Sequence, residues 1–302
     1  MAKYPTIVTV IVLIGLIGVG AYFLTGGFSA KVDQPQNTNT NQSSTNDKAT
    51  TTQERGPTSI IGTSVEGRNI TAYHYGQGDT ELLFIGGIHG GYAWNTVLLA
   101  YELVDYLAEH PEAVPSDVTV TVIPVLNPDG LETVVGTTSR FSLSDVPSSS
   151  GETIPGRFNA NNVDLNRNFD CEWQASGVWQ NTKVSGGDNA FSEPESQAIK
   201  TYIEMNMPSA VIAWYSAAGG VFASNCRNGV LSETRTITNI YADASGYKAY
   251  EDFDFYETTG DMVNWIAKNN IPAISVLLSN HTDVEWDKNW KGIEALLENY
   301  AD

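Results

Sequence analysis

Apolar and polar positions alternate along this chain in several distinct rhythms, and each rhythm predicts a different kind of segment. Thr6–Leu24 is apolar without interruption and carries no charge. From 26 to 56 the chain is rich in Asn, Thr, Gln and Ser and nearly devoid of apolar residues. Beyond 57, short apolar runs and helical spacings take turns. Glu81–Gly86 reads as a buried strand ending in a Gly pair. Trp94, Val97, Leu98, Tyr101, Val104 and Leu107 then recur at helical spacing. Val118–Val125 alternates as a strand, and Asn127-Pro128-Asp129-Gly130 reads as a turn. Ser192-Glu193-Pro194-Glu195 has the form of a capping box opening a helix to about Met205. Ala210–Trp214 is an apolar strand, Thr259–Lys268 a helix, Ala273–Leu278 a second buried strand, and Glu285–Tyr300 an amphipathic helix. Strands apolar on both faces, alternating with helices, predict an α/β fold with a mixed, mostly parallel central sheet and helices on both faces. The segment between Gly130 and Phe191 has little periodicity, and loops of such length in compact domains usually carry function.

The N-terminal run sets the expected topology. A bilayer core needs about 20 apolar helical residues, and Lys3 ahead of the run favours an inside N-terminus. The expectation is a short cytoplasmic segment (1–5), a transmembrane anchor (6–25), a disordered linker (26–56) and one extracellular domain (57–302), in a single-pass protein of the cell membrane. The competing reading is a cleaved signal peptide. Its apolar core would be shorter, and Phe28-Ser29-Ala30 fits a cleavage site poorly. Either reading places the remainder outside the cytoplasm.

Charge narrows the list of partners. Against 16 Lys and Arg stand 35 Asp and Glu, a formal net charge of −19. Such a surface repels phosphate backbones and disfavours nucleic acid as a partner. The chain has only two cysteines, too few for a four-cysteine zinc site.

Candidate chemistry begins at Gly86-Gly87-Ile88-His89-Gly90, between a strand and a helix. Strand C-terminal ends are where α/β proteins place their sites, and the flanking glycines should leave the imidazole accessible. GGIHGG at 86–91 is followed in order by NPDG at 127–130, RFNANNVDLNRNFD at 157–170 and SEPES at 192–196. YETTGDMVNW at 256–265 and IPAISVLL at 271–278 continue the series. Together these segments resemble the landmarks of the zinc carboxypeptidases of the carboxypeptidase A type, over about residues 60 to 300.

The resemblance implies roles. Arg157 matches the arginine that stabilises the oxyanion, and Asn166 with Arg167 the pair that clamps the terminal carboxylate of a peptide. Arginine suits that task because its planar fork meets a carboxylate through two parallel hydrogen bonds. Tyr256 matches the tyrosine that closes over the substrate. The structural alternatives are a buried ion pair of Arg167 with Asp164, and simple packing for Tyr256. The resemblance also implies zinc, held by a histidine and a glutamate of the first segment and a second histidine further on. His89 is present. Where the glutamate is expected the chain has Tyr92 and Ala93, with Ala93 taken as the position; Tyr215 stands in place of the second histidine, and Leu277 in place of the general-base glutamate. A catalytic zinc needs three protein ligands and an open position, so weak or no zinc binding is expected. Of the other histidines, His74 lies in an early strand and His110 ends a helix. His281, near Asp283 and Glu285, is the one substitute ligand within reach of the site. Cys171 and Cys226 fall in segments that border one cleft in such a fold; they form either a disulfide or two separate thiols.

Three functions stay open on the sequence. One is an inactive binding module for peptides with a free C-terminal carboxylate. Another is a working carboxypeptidase on peptides or cell-wall peptides with an atypical metal site. The third is an interaction domain with no peptide-terminus binding.

Overall fold

The structure, a computed structural model, describes residues 56–301. The expected anchor at 6–25 and the linker, Gly56 excepted, lie outside the described residues. Among the described residues no helix is long and apolar enough to cross a membrane.

Eight strands form the main sheet: β1 (Thr58–Thr63), β2 (Asn69–Gly76), β3 (Thr80–Ile85), β4 (Val118–Ile123), β7 (Ala210–Ser216), β8 (Gly220–Ala223), β9 (Lys248–Tyr250) and β10 (Ala273–Leu278). Their order is β1-β2-β4-β3-β7-β10-β8-β9. The middle four, β4-β3-β7-β10, are mutually parallel, and antiparallel strands flank them on both sides. The sheet is therefore mixed and mostly parallel at its centre. A separate hairpin is made by β5 (Ser176–Trp179) and β6 (Thr182–Ser185).

The helices are α1 (Trp94–Glu109), α2 (Pro128–Val135), α3 (Ser150–Thr153), α4 (Pro194–Asn206), α5 (Ser232–Ser245), α6 (Met262–Lys268) and α7 (Trp286–Tyr300). The two-residue period of the strands sorts their side chains between two cores. Leu83, Ile85, Val211, Ala213, Tyr215 and Leu277 face one side, packed with residues of α4 and α6. Leu82, Phe84, Ile212, Trp214, Val276 and Leu278 face the other, packed with residues of α1, α5 and α7. A strand buried on both faces reads as an unbroken apolar run, which is why β3, β7 and β10 were visible in the sequence.

Several boundaries differ from the sequence expectation. Asn127 to Gly130 is not a free turn: it starts α2, with Pro128 as the first helical residue and the Asn127 side chain accepting from Gly130 N. Ser192 makes no capping box; Glu193 is the N-cap of α4 without a side-chain cap, and the Ser192 hydroxyl donates to the Glu193 carboxylate. The helix expected from Thr259 starts at Met262, because Asp261 caps it by accepting from Asn264 N. The β8, α5 and β9 elements gave no legible signal, since α5 is polar over most of its length and β8 and β9 are only four and three residues long.

Candidate functional site

The C-terminal ends of β3, β7 and β10 open into a pocket of ≈ 430 Å³. Register fixes part of its floor, because Tyr215 on β7 and Leu277 on β10 are partners in the parallel ladder. His89, Tyr215, Leu277, Arg157, Asn166, Arg167, Tyr256 and His281 all line it. Ala93 does not: it is the buried N-cap of α1, and Tyr92, one residue earlier, lines the pocket instead. The cause is the tight turn after His89, whose carbonyl accepts from both Tyr92 N and Ala93 N. That turn aims Tyr92 inward and Ala93 into the helix start.

The flanking glycines do not leave His89 accessible. It is only 4% exposed, and both ring nitrogens are engaged. Nε2 lies 3.2 Å from Asp164 Oδ1, and Nδ1 lies 3.4 Å from Arg157 Nη1. Arg157 in turn donates from Nε and Nη2 to Asp164 Oδ2 at 2.9 and 2.7 Å. Burial and the neighbouring guanidinium push His89 down to about 4, against the pull of Asp164. The ring is therefore neutral at pH 7. Burial alone would raise the Asp164 carboxyl, but Arg157 and His89 outweigh it and hold the group well below the usual carboxylate range. An ionised Asp164 next to a neutral imidazole makes Nε2 the protonated nitrogen.

Asp164 thus pairs with Arg157, not with Arg167 as one sequence alternative had it. The Arg157 guanidinium is itself covered by aromatic rings, 4.4 Å from the centroid of Trp179 and 5.6 Å from that of Tyr92. Trp179 closes the β5 strand, and its ring meets Tyr92 edge-on. The Tyr92 hydroxyl approaches His281 Nε2 at 3.4 Å.

The other side of the pocket is built differently. Arg167 is 1% exposed. Its Nη1 donates to Asn166 O and its Nη2 to Val178 O, while its Nε is buried without a partner. Among the described residues no carboxylate forms an ion pair with it. The Tyr256 ring lies 5.9 Å from the guanidinium. Asn166 is held from three sides: its Nδ2 donates to Asp261 Oδ2, and its Oδ1 accepts from Met262 N and from the Tyr215 hydroxyl. Asp261 is pushed up by burial, and burial first, then Asp261, raises Tyr215 well above the ordinary 10. Gly260 lets this wall close. With φ +66° it packs so tightly that a Cβ there would sit 2.1 Å from Arg167 O. Cys171 and Cys226 form a disulfide that ties the segment after the VDLNRNFD motif to the loop after β8.

These donors do not fit a catalytic zinc. Tyr215 stays a neutral phenol, Leu277 has no donor atom, and each His89 nitrogen faces a protein partner. Among the described residues no group of three or more His, Cys, Asp and Glu side chains is placed to hold a metal ion. Sequence reasoning missed Trp179 and gave Tyr92 no role as a pocket wall. The stretch carries two tryptophans, Trp173 and Trp179, and nothing in its pattern singles out the second.

Comparison with known proteins points to the same family. The profile of a family described as zinc carboxypeptidase matches residues 43–283. The human carboxypeptidase N catalytic chain is 27% identical over 186 residues, which cover 57% of this chain and 37% of that one. Murein peptide amidase A of Vibrio campbellii is 27% identical over 157 residues, 48% of this chain and 60% of that protein. This chain thus matches less than two thirds of either relative. Among solved structures, carboxypeptidase A of Helicoverpa armigera superposes with a TM-score of 0.61 at 19% identity, covering 79% of this chain and 66% of that one. Murein-tripeptide amidase of Escherichia coli O157 gives 0.55 at 21% identity, covering 82% and 94%. At such identities the superpositions speak for the fold.

Proposed function

The chain belongs to the zinc carboxypeptidase family, and from that premise we propose that it binds the free C-terminal carboxylate of peptides without hydrolysing them. One observation carries the reading. Arg167 is a buried guanidinium that lines the pocket, has no paired carboxylate among the described residues, and keeps Nε unpartnered. A buried cation in that state calls for an anion. A terminal carboxylate supplies one in the planar geometry that a guanidinium fork accepts. Asn166 and Tyr256 stand beside it to orient the ligand.

Hydrolysis lacks its parts. Leu277 cannot take a proton from water, and a positioned base usually supplies about 10²–10⁴ in rate. Zinc in relatives would lower the pKa of a bound water; this donor set offers it no three-ligand seat. The chain's own residues are left to bind and orient. Arg167 holds the carboxylate, Tyr256 flanks it, and the Tyr92–Trp179 wall borders the space beyond. The uncharged run at 6–25 and the Asn/Thr-rich stretch after it support a membrane-anchored, extracellular placement, and a disulfide suits that compartment.

The test is calorimetric titration with peptides that differ only in a C-terminal acid or amide, cell-wall peptides included. The acid form should bind at least about 30-fold tighter, the lower end for a desolvated charge contact, and Arg167→Met should erase the difference. Equal binding of acid and amide would leave the interaction-domain reading.

A further inference from the structure

We propose that Arg157 has taken over the seat of a metal ion, so that the centre of this pocket carries a permanent guanidinium where a metallopeptidase carries zinc. His89 is the one zinc-type ligand the motif retains. An imidazole offers a metal one lone pair, on whichever nitrogen is not protonated. Asp164, bonded twice to Arg157 through Oδ2, turns its Oδ1 to Nε2 at 3.2 Å, and a carboxylate oxygen only accepts there, so Nε2 carries the proton. The free lone pair is on Nδ1, and Nδ1 faces Arg157 Nη1 at 3.4 Å. A zinc ion would need that lone pair.

Arg157 cannot step aside easily. Two of its nitrogens donate to Asp164 Oδ2, and Trp179 covers the guanidinium at 4.4 Å. A divalent ion bonded to Nδ1 would meet a like charge in a site only 2% exposed at Arg157 and 4% at His89. Repulsion there is weakly screened. Tyr92 and Tyr215 on either side add no anionic donor, and the carboxylate in contact, Asp164, is already bonded to Arg157 and to His89 Nε2.

The exchange alters what the centre can do. A catalytic zinc has an open coordination position and polarises what enters it. The Asp164–Arg157 pair is closed and neutral overall, so attraction for an anion rests on Arg167 alone. Ligand binding should then be indifferent to metal supply and to chelators. The proposal is independent of the peptide-binding reading, since it concerns which cation occupies the centre whatever the ligand.

Zinc titration of the whole chain tests it. Tyr92→Glu with Tyr215→His supplies the missing donor types while Arg157 remains, and a third variant adds Arg157→Ala to both. Removing Arg157 should tighten zinc binding by at least about 10-fold. Equal affinities, or tight zinc with Arg157 in place, would overturn the proposal. Arg157→Ala leaves Asp164 unpaired and can prevent folding, so a second measurement uses the unaltered chain. Nitrogen-15 NMR of the His89 ring, identified by its loss in His89→Gln, should show a neutral ring protonated on Nε2. Its signals should not move when zinc chloride is added. A ring signal that shifts saturably with zinc would refute the claim by itself.

Discussion

The two walls of the pocket satisfy their polar groups in opposite ways. On the wall of Asn166, Arg167 and Asp261, the polar groups are linked by hydrogen bonds, while the Arg167 guanidinium lines the cavity with no carboxylate paired to it among the described residues. On the wall of His89, Tyr215 and Leu277, every donor is neutral, absent or already satisfied within the protein. On the proposed reading the first wall is left open for an anion and the second is finished without a ligand. The two sets of groups sit on different elements, so one can change while the other is kept. Positions matched to the family's catalytic residues lie at the ends of β3, β7 and β10, whereas those matched to its carboxylate clamp are carried by the aperiodic segment before β5 and the cap of α6.

The largest expected effect comes from breaking the finished wall. Asp164 is 0% exposed and holds both Arg157 and His89. Asp164→Leu strands a buried guanidinium and should cost about 3–5 kcal/mol of folding stability, read by chemical denaturation. Next comes acid. His89 is protonated at about 6.5 when unfolded but at about 4 when folded, so the unfolded chain binds the proton first. Its contribution to stability is fully present above 6.5 and is lost as pH falls through 4, a total of roughly 3 kcal/mol. Comparing denaturation curves of the protein and His89→Gln across pH 7 to 4 isolates this slope. It also separates it from Asp261 and Glu195, whose carboxyls burial pushes upward.

The open wall should respond in binding more than in stability. Arg167→Met removes a buried cation and should weaken free-acid peptides by at least about 2 kcal/mol, with a smaller fall in stability, about 1 kcal/mol, from the two backbone carbonyls that lose their donor. A fall in stability with no change in binding would mean that the guanidinium is structural. The smallest effect is expected between the walls. The Tyr215 hydroxyl reaches Asn166 Oδ1 at 3.3 Å, a long contact, so Tyr215→Phe should change stability by no more than about 1 kcal/mol. A larger loss would mean that the two walls are coupled through that hydroxyl.

Much of this was legible in the sequence, and the exceptions have physical causes. The unbroken apolar runs of β3, β7 and β10 marked a sheet covered on both faces, and the helical spacing of Trp94 to Leu107 marked α1. The segment order placed His89, Arg157, Arg167, Tyr215 and Leu277 in one pocket. What it could not give was direction. Whether Tyr92 or Ala93 faces the pocket depends on a turn of a few residues, where one step reverses the side chain. Which arginine pairs with Asp164 is a three-dimensional choice between Arg157 and Arg167, seven and three positions away. The Trp179 wall arises from a four-residue strand inside an aperiodic stretch, too short to announce itself by pattern.

A chain that holds a free C-terminus and leaves it uncut can be recognised in one experiment. Equilibrium dialysis of the whole chain against free-acid peptides, with zinc supplied and the recovered peptide weighed by mass spectrometry, reads both halves at once. Peptide should be retained at its original mass, and retention should be lost when the terminus is amidated. Recovery of peptide shortened by its last residue would contradict it.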